Sequence, residues 1–365
     1  MKKRVYIITY FTLKNGKSIV AGQRPYRLYD FLKEKGVDVT LVTVNKSFGH
    51  EIAVPEFKYN GILRLLSRII PPDRSILWGI RVYRELKTSV DKDTLILTTA
   101  PPHGISISGF LLKLKNAQIT WVADYRDLFV DNSLHSNFLT KKLLDPVFEK
   151  IFHKKEDLGV FNTKWDMNFN IKKYPFLKGK SIFVRNGVDR ILAAEHEDRQ
   201  LSFVYSGGTT KGRATKVVNN IMDALNEAGL KSHCDFYGRY DQLMDSSPYI
   251  NYKGLVESDE IPNILSKYKF GFVYLPDGCE KGGRVAQKFY DYLGVGVIPI
   301  CYQASIEMIE MMDKYATGIS ITEQTNTNEI IEFIEKATFN AHPTELVELT
   351  RRIQFEKLYS HIKNL

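Results

Sequence analysis

Two short stretches place glycines ahead of basic residues at the start of a helical run. In VYSGGTTKGR (204–213), a strand-like segment ends at Gly207 and Gly208, and Lys211 and Arg213 follow. In GGRVAQKFYDYLG (282–294), Gly282 and Gly283 precede Arg284 and Lys288. Asp291 lies three residues after Lys288, on the same helical face. Glycine lets a backbone approach a ligand closely. Free N–H groups at a helix start attract anions, and lysine or arginine adds charge. The chemistry such rims suit is the holding of phosphate, with Asp291 accepting hydrogen bonds from ribose hydroxyls. Neither stretch is a Walker A sequence or has the full dinucleotide glycine spacing. Each also has an ordinary reading: a glycine turn in the first, and a surface Lys–Asp pair of little energetic value in the second.

A second set of charges sits where other strands end. ITWVADYRDLF (119–129) runs from buried-type residues into Asp124, Arg126 and Asp127. In TTAPPHG (98–104), two prolines stop a strand and hold His103 at its carboxyl end, as an acid/base or phosphate ligand, or as a packed helix-start residue. In VAGQRPYRLYDFL (20–32), Gly22 is followed by Arg24 and Arg27 at a helix start. Cations there oppose the helix dipole, so a bound anion would relieve them unless both point to solvent. Residues 60–87 mix Leu, Ile and Trp78 with Arg64, Arg68, Arg74, Arg81 and Arg84. That pattern suits an anionic membrane surface, or helices packed on a sheet with a solvated basic face.

Composition bounds the rest. The 365 residues suggest two domains, and 44% hydrophobic with 25% charged residues is ordinary for a globular chain. The net charge of +9 favours anionic partners. With no zinc-finger or RNP-type pattern, no nucleic-acid partner is expected. Cys234, Cys279 and Cys301 are odd in number and lack ligand spacing. Neither a disulfide framework nor a metal site is expected, and a reducing cytoplasm is. No apolar run reaches the ~18 residues of a membrane span. The N-terminal MKKRVYIITYF reads as a first strand rather than a signal peptide.

Short β-rich runs (4–10, 37–44, 94–100, 118–124, 157–163, 181–189) alternate with helical ones (24–35, 104–115, 138–155). After a polar stretch at 190–200, the expected linker, the pattern restarts with strands at 201–208, 232–238, 249–255, 270–276 and 296–302. Helices are expected at 214–228, 286–294, 327–338 and 343–362. Such alternation predicts α/β units with parallel sheets covered on both faces, and ligands outside the carboxyl ends of the strands.

Five segments in order and spacing resemble the glycosyltransferase family 4-like enzymes: 22–43, 94–129, 181–189, 203–212 and 288–300. The branch it looks most like builds bacterial cell-surface polysaccharides. The resemblance implies the α/β GT-B fold of two facing Rossmann-like domains, with an acceptor-side domain (1–190) and a nucleotide-sugar domain (200–342). A helix in 343–365 would return to the first domain. It implies that Gly207, Gly208, Lys211, Arg213, Gly254, Gly283, Arg284, Lys288 and Asp291 bind the donor. Gly22, Arg24, His103, Asp124, Arg126 and Asp127 would lie on the acceptor side. Lys211, Arg284, His103, Asp124 and Asp127 would act in catalysis. Gly283 stands eight residues before Asp291, where many members carry a glutamate, and Glu280 is the nearest substitute. The activity implied is a retaining, metal-independent transfer of a sugar from a nucleotide-sugar to a lipid-linked or growing polysaccharide. It would need no cofactor, in the cytoplasm at the inner face of the membrane, with residues 60–87 on the lipid. The alternatives are an inactive GT-B protein binding a glycan or a partner enzyme, and a sugar-nucleotide epimerase.

Overall fold

The computed structural model describes residues 4–11, 20–46, 51–62, 67–131, 138–193, 199–208, 212–238 and 248–365. The chain divides into two compact units, Met1–Arg185 with Gln354–Leu365, and Asn186–Ile353.

The sheet of the first unit contains β1 (Arg4–Thr9), β2 (Asp38–Thr43), β3 (Ile52–Ala53), β4 (Thr94–Ala100), β5 (Thr120–Tyr125), β6 (Leu158–Phe161) and β7 (Ser181–Phe183). Their order is β3-β2-β1-β4-β5-β6-β7, and every pairing is parallel. Every residue of β4 and β5 is buried, as continuous apolar strands covered on both faces require. Period-two alternation divides the side chains between two cores. Val5, Ile7, Leu95 and Leu97 face α1 (Val20–Glu34) through Leu28, Phe31 and Leu32. Tyr6, Ile8, Ile96 and Trp121 face α2 (Ser75–Leu86), α3 (Ser106–Lys115) and α4 (Leu139–Lys155) through Trp78, Leu112 and Phe152. The helix α5 (Lys164–Lys173) starts where Thr163 accepts the Asp166 N–H at 3.0 Å.

The second unit holds β8 (Phe203–Ser206), β9 (Cys234–Tyr237), β10 (Ile250–Gly254), β11 (Phe270–Tyr274), β12 (Ile298–Tyr302) and β13 (Ile319–Ile321). The order is β10-β9-β8-β11-β12-β13, again all parallel. One face carries α6 (Arg213–Glu227) through Val218 and Met222. The other carries α8 (Gln287–Val295) and α9 (Ile306–Lys314) through Phe289, Leu293 and Met308. The short α7 (Ile261–Leu265) precedes α8, and α10 (Thr327–Lys336) and α11 (Pro343–Leu346) follow α9.

The boundary is not the polar stretch 190–200. Leu192 and Ala193 donate their N–H groups to the Gly294 carbonyl at 2.7 and 3.0 Å, and the Arg199 guanidinium donates to the Val295 and Gly296 carbonyls. The described ends of that stretch are therefore tied to the second unit, and the division falls at Arg185–Asn186. The expected helix 343–362 is interrupted by a tight turn at Val347–Leu349, and helix resumes as α12 (Arg351–Ile362). Leu346 and Leu349 belong to the core of the second unit, whereas Phe355, Leu358 and Ile362 belong to that of the first. Within the second unit, the Val188 N–H meets the Leu349 carbonyl and the Arg351 N–H meets the Val188 carbonyl, at 2.9 and 2.7 Å.

Candidate functional site

In the second unit the strand order reverses between β8 and β11, the position where open α/β sheets leave a crevice. Among the described residues, the rim beside it is glycine backbone. β8 runs into Gly207, β9 into Gly238, and β10 ends on Gly254. The Gly207 N–H bonds the Tyr237 carbonyl at 2.7 Å, and the Gly238 N–H bonds the Gly254 carbonyl at 2.9 Å. A Cβ on Gly238 would lie 1.9 Å from the Gly207 oxygen, so no side chain fits there. Gly207 has φ +118°, which L side chains rarely adopt.

Helix α8 brings its first residues to this rim. A Cβ on Gly207 would lie 3.2 Å from Lys288 Nζ. The ammonium sits 3.6 Å from the centre of the Tyr205 ring and has no hydrogen-bond partner among the described residues. Burial lowers its pKa to about 7, against a smaller upward pull from Asp291. Burial raises Asp291 to about 6, opposed first by its bond from Gln287 and then by Arg351. Gln287 Nε2 donates to Asp291 Oδ1 and to the Gly187 carbonyl, both at 2.9 Å. The start of α8 has extended Ala286 as its cap residue, whose side chain offers no capping bond. Gly283 is buried and Arg284 half-buried in the loop before it. In the preceding turn, Cys279–Lys281, Glu280 holds a buried Oε2 with no hydrogen-bond partner among the described residues.

Of the basic residues expected on the donor, Lys288 is at the rim. Arg213 opens α6 but bonds Tyr274 and lines a separate cavity of about 530 Å³ with Lys216, Asp277 and Tyr302. Lys211 lies outside the described residues. Gly208 is exposed, and its carbonyl accepts the Tyr205 hydroxyl at 2.7 Å.

The first unit answers why a core strand runs into charges. Asp124 and Arg24 are both almost fully buried and bind each other through two bonds, Nε–Oδ2 at 3.0 Å and Nη2–Oδ1 at 2.8 Å. Thr99 Oγ1 donates to Asp124 Oδ2 at 3.0 Å, and Arg24 Nη1 donates to the Arg185 carbonyl at 2.9 Å. The anion that relieves Arg24 at its helix start is thus Asp124 itself, with the buried Gly22 in the same first turn. Arg126 is buried and donates to the carbonyls of Ala100 and Pro101, which holds the strand end in place; burial lowers its pKa. His103 opens a tight turn and stacks on Phe129 with ring centres 4.4 Å apart. Asp127 is half-buried and lies close enough to Arg126 to interact with it electrostatically.

The expected membrane face in 60–87 is not available on α2. Trp78, Val82 and Leu86 are core residues, and Trp78 Nε1 donates to the Val54 carbonyl at 2.7 Å. Arg81 donates to the Pro55 carbonyl and lies over Phe57. The apolar stripe of α2 is used by the fold, while Ile62 and Ile69 before it are exposed. Arg64 lies outside the described residues, as does the side chain of Arg68. Among the described residues there is no group of three or more His, Cys, Asp or Glu arranged for a metal, and no helix long and apolar enough to cross a membrane.

No protein-family model matches the sequence, and no curated protein matches it. Solved structures do. The α,α-trehalose 6-phosphate synthase of Burkholderia multivorans superposes with a TM-score of 0.69 at 11% identity, covering 100% of this chain and 97% of its own. A glycosyltransferase from Rickettsia africae gives 0.65 at 11%, covering 100% and 98%. A point mutant of S. aureus TarM, in complex with fondaparinux, α-GlcNAc-glycerol and UDP, gives 0.63 at 9%, covering 98% and 99%. The fold is GT-B.

In this GT-B chain, sequence reasoning missed two parts of the rim, Tyr205 and Gly238. The signal for Gly238 was present as three strand ends running into glycine: 206–207, 237–238 and 253–254. Tyr205 alternates with other core residues and carries no mark of its contact with Lys288.

Proposed function

We propose that the protein is a retaining glycosyltransferase. It moves a sugar from a nucleotide-sugar to a hydroxyl of a lipid-linked or growing polysaccharide acceptor, on the cytoplasmic side of the membrane and without a metal. The observation that carries this reading is the Lys288 ammonium, held over a rim of bare glycine backbone with no hydrogen-bonding acceptor of its own among the described residues. A diphosphate supplies that acceptor. The uncapped start of α8 offers N–H groups to the same anion. In the reaction the bond from the anomeric carbon to the phosphate oxygen breaks, and one to the acceptor oxygen forms as that oxygen's proton passes to the leaving phosphate. The diphosphate carries added negative charge until that proton reaches it. Lys288, with Lys211 and Arg284, stabilises that charge as it develops. Asp291 accepts ribose hydroxyls, taking the place of its present bond from Gln287. Glu280, with its unused Oε2, supplies the second carboxylate in place of Gly283. His103 and Asp127 meet the acceptor. The co-structure of the TarM mutant with UDP and α-GlcNAc-glycerol supports the donor class through shared fold alone.

A second reading rests on Gly283: without an acid in that position, the chain binds a nucleotide-sugar or a glycan and transfers nothing. A thermal-shift screen against UDP-, GDP- and dTDP-sugars tests donor binding, since a ligand bound only by the folded state raises apparent stability. A rise with one class supports both readings, and turnover with an acceptor then selects the first. No shift with any of the three removes the donor site.

A further inference from the structure

Helix α4 carries an exposed outer face that no described residue covers. Leu139, Leu143, Val147 and Ile151 recur every four residues and are 70%, 64%, 50% and 37% exposed. Side chains four apart lie on one side of a helix, so these form a single stripe. Phe138 and Leu144 widen it, and both are also exposed. The exposed Ile69 adjoins its start, where Thr140 Oγ1 donates to the Ile69 carbonyl at 2.8 Å. A contiguous exposed apolar patch of this kind marks an interaction surface.

The charges on the helix select the partner. Lys142, Lys150, Lys154 and Lys155 are exposed, and Lys141 is half-buried. The two acids of the helix, Asp145 and Glu149, are buried instead. Glu149 accepts bonds from Lys173 at 2.6 Å and from the Tyr174 hydroxyl at 2.7 Å. The outer face is therefore apolar and cationic, with no carboxylate. A second copy would set lysines against lysines. An anionic bilayer meets both features: its acyl boundary takes the leucines, while lysine stems lie along the apolar surface and reach the phosphates.

We propose that this face of α4 docks on an anionic lipid surface. The proposal stands whether or not the chain transfers a sugar, because no residue of α4 belongs to the nucleotide rim.

The full chain is sedimented with vesicles of phosphatidylcholine alone and of phosphatidylcholine mixed with phosphatidylglycerol. Binding to the mixed vesicles only, released by raised salt, is expected. Leu143→Glu with Val147→Glu, and separately Lys150→Glu with Lys154→Glu, should each weaken it at least about tenfold, on the scale of one charge per headgroup contact. Both variants change exposed residues, so circular dichroism and melting temperature should match the wild type. No sedimentation with the anionic vesicles, or variants that bind as the wild type does, would overturn the proposal. So would a dimer in sedimentation velocity that Leu143→Glu abolishes while the vesicles stay unbound; that result assigns the face to a second copy.

Discussion

Lys288 Nζ lies 3.6 Å from the centre of the Tyr205 ring, at the carboxyl end of β8. A ring face stabilises a cation by about 0.5–2 kcal/mol. That does not offset the loss of water, and the pKa falls to about 7. The fold keeps a cation where it is poorly satisfied, which is the arrangement expected of a group waiting for an anion.

Replacing Lys288 with methionine should therefore separate binding from folding. Affinity for the nucleoside diphosphate that the thermal-shift screen selects should fall about 10- to 100-fold, the loss of one charge-assisted contact worth about 1.4–2.7 kcal/mol. Folding stability at neutral pH should hold or rise, because a half-buried, partly desolvated charge is removed. Calorimetric titration and urea denaturation measure the two. Wild-type affinity in Lys288→Met would take the residue out of the site.

The pH dependence has a defined sign. Below pH 7 Lys288 is charged, and above it the free protein loses the proton. Nucleoside-diphosphate affinity should then drop by up to about tenfold per pH unit, with proton uptake on binding. Asp291 titrates at about 6, so in the proposed role it would accept ribose hydroxyls best above that. Affinity should peak between about 6 and 7. Stability shows the other side of the linkage. The folded pKa of Lys288 lies below its ordinary ~10.4, so its penalty is full below about pH 7 and fades as pH rises toward about 10. Titrations in buffers of different ionisation enthalpy reveal the proton; an affinity that stays constant from about pH 6 to 9 contradicts the assignment.

The Arg24–Asp124 pair is a stability prediction. Arg24→Met leaves a buried carboxylate unpaired and should cost about 3–5 kcal/mol in urea unfolding. Arg24→Met combined with Asp124→Leu should recover most of that, since the charge to be buried is gone. A loss in the double variant as large as in the single one would show that the carboxylate is not the source of the cost.

The strands and their parallel order were legible because β4, β5 and β8 are continuous apolar runs between helices. Other elements were not. β13 has three residues, too few for a pattern. Helix α5 buries Asp166 and Asn170, so its inner face looks polar. Helix α9 has a clear cap, with Ser305 accepting from Met308 N, yet it buries Glu307 among its methionines, so its inner face is broken by a charge. At the site, glycines and basic residues at strand ends were visible one by one. Their partners were not, because Arg24 meets Asp124 across 100 residues and Lys288 meets Tyr205 across 83. Within 60–87 the stripe on α2 packs on the sheet, and an apolar helical stripe reads the same whether it faces a bilayer or a sheet. The acids of α4 turn inward, a fact only packing reveals.

Phe355, Leu358 and Ile362 complete a core begun by Val5 and Ile7. The first unit is thus a discontinuous stretch of the message. On the ribosome, its sheet must wait through synthesis of the whole second unit before residues 354–365 emerge and seal it. A chaperone that shields Val5, Leu28 and Phe31 during that interval would act on native contacts that have not yet been made.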